Sequence, residues 1–263
     1  MKNLFIYCDG GFGNRYGTLI GGLHVAKYHK FNPVIVWRNT SNCRLKFNKI
    51  FVNDIEVCDK PLDAFSDCVL MMHGNFVTGY KNYDINSFES IDDLPVNDEK
   101  VDYLYNNNWI PQWMEEKYVM TTIKELVFID SIKHFSDIFT AKKGIDAFTI
   151  GLHLRATDFD KNVPQFNKEY DWIAGQPDQK FFVLSDDEDL EKKFNKLDNV
   201  VVRKKQHYVE KEDPDASWCG NIERSSDSVM DSLIDLTVFS KTNILVNSPS
   251  SFLKTALLLK KYG

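Results

Sequence analysis

Apolar residues along the chain fall into two kinds of pattern. Leu4–Tyr7 is a short continuous apolar run, whereas residues 18–29 place Leu19, Leu23 and Ala26 at helical spacing. "PVIVW" at 33–37 is a second continuous run, rich in β-formers. Strand, glycine turn, helix and strand make a βαβ unit, which predicts a parallel, doubly wound sheet. Residues 40–110 hold only short apolar runs ("FVNDIEV", "CVLMMHG") broken by Asn, Asp and Pro, and no element is assigned there. Residues 113–139 have the composition of one or two helices, and "KKGIDA" (142–147) reads as a linker.

A second cycle follows. "FTIGLHLR" (148–155) predicts a strand, 180–194 a strand turning into a helix, and "NVVVR" (199–203) another strand. Residues 225–240 read as a helix, 243–247 as a strand, and 248–261 as a closing helix with capping serines and Pro249 at its start. The alternation predicts an α/β chain of two Rossmann-like halves, 1–142 and 143–263, with mainly parallel sheets.

Composition narrows the function classes. With 263 residues, 43% hydrophobic and 13% aromatic, the chain can bury a core and is not a disordered segment. A net charge of −6 argues against nucleic acid as the main partner. The five cysteines (8, 43, 58, 68 and 219) form no C-x-x-C pair, a pattern of reduced thiols rather than a disulfide framework or zinc site. The sequence enters a strand at once, without a signal peptide, and no run approaches the ~20 apolar residues of a membrane span. A soluble, cytoplasmic protein is expected.

Candidate chemistry gathers where strands end, the place ligands occupy in open α/β sheets. Gly11, Gly13 and Gly17 follow the first strand as G-x-G-x-x-x-G, off the dinucleotide-binding spacing, with Asn14 and Arg15 between them. His153 and Arg155 share one face of a strand, and Thr157 and Asp158 follow. Ser185, Asp186 and Asp187 end the next strand; Asn247, Ser248, Ser250 and Ser251 end the last. A guanidinium such as Arg155 offers a planar fork to pyrophosphate oxygens, although a salt bridge to Asp158 would equally explain it. His153 reads as a site residue or as a core histidine. Asp227, Asp231 and Asp235 lie along one helical stripe, and Asp235 sits among Leu233, Ile234 and Leu236, where a carboxylate could accept from the N–H donors of guanine. Asp187 and Asp189 have D-x-D metal-ligand spacing, but an acidic first helical turn explains them, and no metal is expected.

Taken together, these segments resemble a known group. "IGLHLRATD" is similar to the H-x-R-x-x-D strand of the GDP-fucose-dependent fucosyltransferases, "FFVLSDDEDL" to their "ATDD" strand, and "DSVMDSLIDLTVFSKTNILVNSPSSF" to their C-terminal block. "GGFGNRYGTLIGGLHVAKY" with "VIVWR" resembles the glycine loop and strand of the bacterial nodulation members. The resemblance covers 5–38 and most of 148–257, but not 40–145. It implies a GT-B-type, inverting glycosyltransferase: two Rossmann-like domains facing a cleft, GDP-fucose as donor, a glycan as acceptor and no metal or other cofactor. It assigns the diphosphate to Arg155, helped by Ser250, Ser251 and the glycine loop (Gly11, Gly13, Asn14, Arg15). Guanine falls to His153 and Asp235, with Asp186, Asp187 and Phe252 in the same nucleotide site. Ala156 departs from relatives that carry a second arginine there, and Val163 stands where the α1,6 members have a glutamate. The catalytic base is then sought among Asp158, Asp160 and Glu169. Two other classes fit parts of the pattern: an NADP-dependent oxidoreductase, with Arg38 on a 2′-phosphate, and a nucleotide-sugar-binding protein without catalysis.

Overall fold

A computed structural model of the chain describes residues 2–72, 81–96, 102–107, 109–156, 166–211, 222–247 and 250–263. The chain groups into two compact units: Met1–Thr40, Lys46–Val127 and Tyr262–Gly263 in the first, Ser41–Leu45 and Phe128–Lys261 in the second.

The first unit holds strand β1 (Asn3–Cys8), helix α1 (Phe12–His29), β2 (Asn32–Trp37), β3 (Glu56–Cys58), β4 (Val69–Met72), β5 (Lys81–Asp84), β6 (Tyr103–Asn106) and α2 (Glu116–Glu125). Its sheet runs β3-β2-β1-β6-β4-β5, with every pairing parallel. Four of these strands arise from residues 56–106, where the apolar pattern predicts none. They are three or four residues long, and β4 is buried throughout, so neither alternation nor length marks them. The helical periodicity is visible from residue 18, but α1 begins at Phe12, directly after the glycine turn. Tyr7, Val36, Phe65, Leu70, Met72 and Leu104 form a core cluster of this sheet. Glycines let α1 lie close upon the strands: a Cβ at Gly21 would stand 2.1 Å from the Tyr105 hydroxyl.

The second unit holds α3 (Asp130–Lys143), β7 (Ile150–Leu154), α4 (Asn167–Ala174), β8 (Phe181–Ser185), α5 (Glu188–Phe194), β9 (Val200–Val201), the short strands β10 (Glu210–Lys211) and β11 (Ile222–Glu223), α6 (Ser226–Ser240), β12 (Asn243–Ile244) and α7 (Ser251–Tyr262). Its main sheet is β12-β7-β8-β9, again parallel throughout. Helix α3 runs through the first lysines of the expected linker, ends at Gly144 in the left-handed region (φ 58°), and packs against α6. Helix α4 has only one buried residue, Ile173, which is why no apolar stripe announced it.

Strand β7 shows both faces of this sheet at work. Leu152 and Leu154 point into a cluster with Ile173, Phe181, Val183, Leu190 and Phe194. The alternate residues face the other way: Gly151 lies against Phe239 and Thr242, and the His153 ring stacks on Phe252 of α7 (4.7 Å, 29°).

Candidate active site

In the second unit the chain winds from β7 to β8 to β9, then returns to place β12 on the opposite side of β7. The order reverses between β7 and β12, the switch point at which open α/β sheets leave a crevice beyond their carboxyl ends. Residues from three strand ends meet there. Asn247 donates its side-chain N–H to the His153 carbonyl (2.7 Å). Ser250, 6% exposed, accepts from the Leu253 N–H (3.2 Å) and so caps the twelve-residue helix α7. Ser251 and Phe252 are half-buried in its first turn, while Ser248 and Pro249 lie outside the described residues.

Arg155 follows β7 directly and is half-buried. The backbone on either side of it is fixed by the end of β8: the Ser185 hydroxyl donates to the Leu154 carbonyl (2.6 Å), and the Ala156 N–H donates to Asp186 Oδ1 (2.7 Å). Asp187 caps α5 by accepting from the Leu190 N–H (2.7 Å). One oxygen of Asp186 and one of Asp187 thus serve the protein's own backbone. Asp158 and Asp160 lie outside the described residues, and Glu169 is half-buried in the first turn of α4.

Asp235 is only 1% exposed and sits between two cations. Its Oδ1 accepts from Arg203 Nε, and its Oδ2 lies 3.1 Å from Lys205 Nζ without an aligned hydrogen bond. As placed, it presents no open edge to a base. Arg203 also bonds the Asp231 carboxylate (2.9 Å) and carbonyl (2.6 Å), spanning two turns of α6. Glu191 of α5 completes the network: Oε1 takes Lys205 and the Ser185 N–H (2.8 Å), and Oε2 takes the Tyr208 hydroxyl (2.6 Å). Burial opposes the charge on Lys205, but Asp235 and Glu191 outweigh it and hold that pKa above the lysine norm. Burial pushes the Glu191 carboxyl up, Lys205 pulls it down, and the net direction is upward. Glu191, Lys205 and Tyr208 are unmarked in sequence: one hides in an acidic helical run, the others in a polar loop. Asp227, the first of the three-aspartate stripe, is exposed.

The first unit has its own switch point between β1 and β6, and the glycine turn lies at the end of β1. Gly10 adopts φ 75°, closed to most side chains. Gly11 caps α1 in an ordinary extended conformation, and a Cβ there would meet nothing within 4 Å. Asn14 is half-buried, and Gly13 is buried. Arg15, expected beside the phosphates, is turned inward. It is 0% exposed and donates to the Gly10 carbonyl (2.8 Å), the Arg38 carbonyl (2.7 Å) and the Thr40 hydroxyl (2.9 Å), with its guanidinium over the Trp37 ring. Arg15 ties the glycine turn to the end of β2. Arg38, the candidate for a 2′-phosphate, donates to the Tyr7 hydroxyl (3.1 Å).

Among the described residues no cluster of three or more His, Cys, Asp or Glu side chains is arranged to hold a metal ion. Also among them, no helix is long and apolar enough to cross a membrane.

No family model matches the chain, and no curated protein matches it in sequence. The fold does match solved structures. The fucosyltransferase NodZ from Bradyrhizobium aligns with a TM-score of 0.63 at 14% identity, over 98% of this chain and 92% of that one. NodZ alpha-1,6-fucosyltransferase co-crystallised with GDP gives 0.60 at 14% identity, over 98% and 92%. POFUT1 in complex with GDP-fucose gives 0.54 at 12% identity, over 99% and 95%. The chain has the fold of these fucosyltransferases along its whole length.

Proposed function

We propose that the chain is an inverting, GT-B-type glycosyltransferase that moves fucose from GDP-fucose to a glycan acceptor without a metal. The observation that carries this reading is the packing of β7, the strand that leads into Arg155, against the first turn of α7 beside the β7–β12 switch point, where His153 stacks on Phe252, in a fold whose solved examples include complexes with GDP and GDP-fucose. A guanidinium fork and the backbone amides of a helix start both suit a diphosphate, and both stabilise the negative charge that grows on it as the glycosidic bond breaks.

Residues 143–263 hold the nucleotide sugar, and residues 1–142 serve the acceptor. Arg155 takes the diphosphate, with Ser251 and the amides beyond Ser250 beside it. His153, stacked on Phe252, and Asp235 read guanine, Asp235 exchanging its Lys205 contact for the base donors. The glycine turn (Gly11, Gly13, Asn14) supplies backbone and amide donors to an anion. The acceptor hydroxyl, deprotonated by Asp158, Asp160 or Glu169, attacks the anomeric carbon from the face opposite the diphosphate, so a β-linked donor yields an α-linked product. Four of the cysteines, at 8, 43, 58 and 68, form no disulfide, in keeping with a cytoplasmic setting.

A ligand panel tests the reading. GDP should raise the melting temperature, and UDP, ADP and NADP should not. GDP-fucose should then be consumed in excess EDTA as fast as with added Mg²⁺ or Mn²⁺. Protection by NADP alone would favour the oxidoreductase; GDP binding without turnover would leave a binding protein; activity restored only by Mn²⁺ would overturn the metal-free mechanism.

A further inference from the structure

Five charged side chains are packed within the second unit: Arg203, Lys205, Glu191, Asp231 and Asp235, each with a side chain no more than 13% exposed. Burying ions is expensive even when they are paired, and apolar residues of similar size are often as stable or more so. The network therefore calls for a reason beyond stability, and its wiring supplies one.

Asp231 also takes the backbone N–H groups of Gln206 and His207, and Glu191 is the member that ties the network to the sheet. Its Oε1 accepts from the backbone N–H of Ser185, the last residue of β8. β9 pairs with only Phe181 and Phe182, so the acceptor for this N–H comes from a side chain rather than a neighbouring strand. Ser185 in turn grips β7 through its hydroxyl on Leu154, while the next residue, Asp186, takes the Ala156 N–H. Leu154 and Ala156 are the two neighbours of Arg155. Its backbone is thus held from both sides by a strand end that Glu191 anchors, with Lys205 and Tyr208 fixing the Glu191 carboxylate.

We propose that Glu191 is a positioning residue for Arg155, acting through Ser185 and Asp186 to aim the guanidinium at the donor diphosphate. This rests on the donor site proposed above. Removing the carboxylate leaves the Ser185 N–H buried without its acceptor and lets the end of β8 shift, and β7 shifts with it. A displacement of about 1 Å is enough to cost a catalytic site two orders of magnitude. The glutamine variant retains a carbonyl oxygen for Ser185 and so keeps most of the geometry.

The test is a double-mutant cycle read on GDP dissociation constant and on KM for GDP-fucose, far below the melting temperature. Glu191→Ala should weaken GDP binding and raise donor KM by about tenfold, leaving acceptor KM unchanged, and Glu191→Gln should recover to within about threefold. In an Arg155→Ala background the same change should add less than about twofold, because the two residues act as one unit. If Glu191→Ala fails to fold, Ser185→Ala cuts the next link and should raise donor KM by a similar factor. A lower melting temperature with unchanged GDP affinity and donor KM, or full additivity with Arg155→Ala, would overturn the proposal while leaving the donor reading intact. Wild-type protein that does not bind GDP overturns the donor reading itself, and this assignment with it.

Discussion

Arg15 and Arg155 stand at comparable places, each just beyond a central strand at the switch point of a parallel sheet. Their settings are opposite. Arg15 has no exposed surface, and three neutral acceptors and an indole ring satisfy it. Arg155 is half-buried, and the backbone on either side of it is secured by neighbours from β8. A phosphate ligand needs a guanidinium whose position is fixed and whose donors still reach outward. The first unit spends its arginine on holding a turn together; the second fixes the main chain around an arginine that is only half-buried.

That contrast predicts a double dissociation, and it carries the largest effects. Arg15→Ala orphans two carbonyls and leaves a hole beneath Trp37, a loss of about 4 kcal/mol of stability. Arg155→Ala should cost about 1 kcal/mol or less of stability yet lower transfer about 100-fold or more. Urea melts and kcat/KM on both variants decide it. Equal stability losses would erase the distinction.

The buried network gives the next effect. Asp235→Asn puts an amide where Arg203 and Lys205 need an anion, and about 3 kcal/mol of stability should go with it. A guanine-reading carboxylate with no structural duty would instead show weakened GDP binding at unchanged stability. Chemical denaturation beside GDP titration separates the two.

Glycines sharpen the comparison further. Gly17 is a packing glycine, since a Cβ there would fall 2.8 Å from the Trp109 Cα, and Gly17→Ala should cost about 2 kcal/mol. Gly11 has neither a special backbone angle nor a neighbour to clash with, so Gly11→Ala should stay within about 0.5 kcal/mol of the native stability. If Gly11→Ala still damages activity, the empty space above it belongs to a ligand. If it does not, the glycine turn is structural only.

These residues also show what could be read from the chain and what could not. The longer strands, marked by their apolar runs, and the helix α6 were legible: β1, β2, β7, β8 and α6 lie where the pattern puts them. The ends of β7, β8 and the segment after β12 do come together, Ser185 on Leu154 and Asn247 on His153, because parallel winding brings carboxyl ends to one edge. The short strands β3 to β6 were not legible: β4 and β6 are buried on both faces and show no alternation, β3 is largely exposed, and each is only three or four residues long. Nor could spacing tell that Arg15 turns inward, or that Asp235 meets Lys205 and Arg203 from a loop about thirty residues earlier. Such pairs form only once the fold exists.

A difference in acid sensitivity separates the two units on a scale of about 1 kcal/mol. In the first unit, His24 of α1 is 6% exposed and stacks on Tyr118 of α2 (4.3 Å, 24°). Burial lowers its pKa from 6.5 to about 4, with His29 and Lys27 adding to the shift and Glu115 opposing it. The folded pKa lies below the unfolded one, so protons favour the unfolded chain: the stabilisation is present above pH 6.5 and is lost as pH falls toward 4. Glu191 in the second unit has the opposite sign, because its raised pKa makes the carboxylate, not the acid, the strained form. Lowering the pH from 6.5 to 5.5 should therefore cost about 1 kcal/mol through His24. Substituting His24→Phe keeps a ring against Tyr118 and removes the titration. Stability of the two proteins, measured by urea melts across that range, should diverge with the wild type falling faster. Parallel curves would mean that His24 is protonated as readily in the fold as in water.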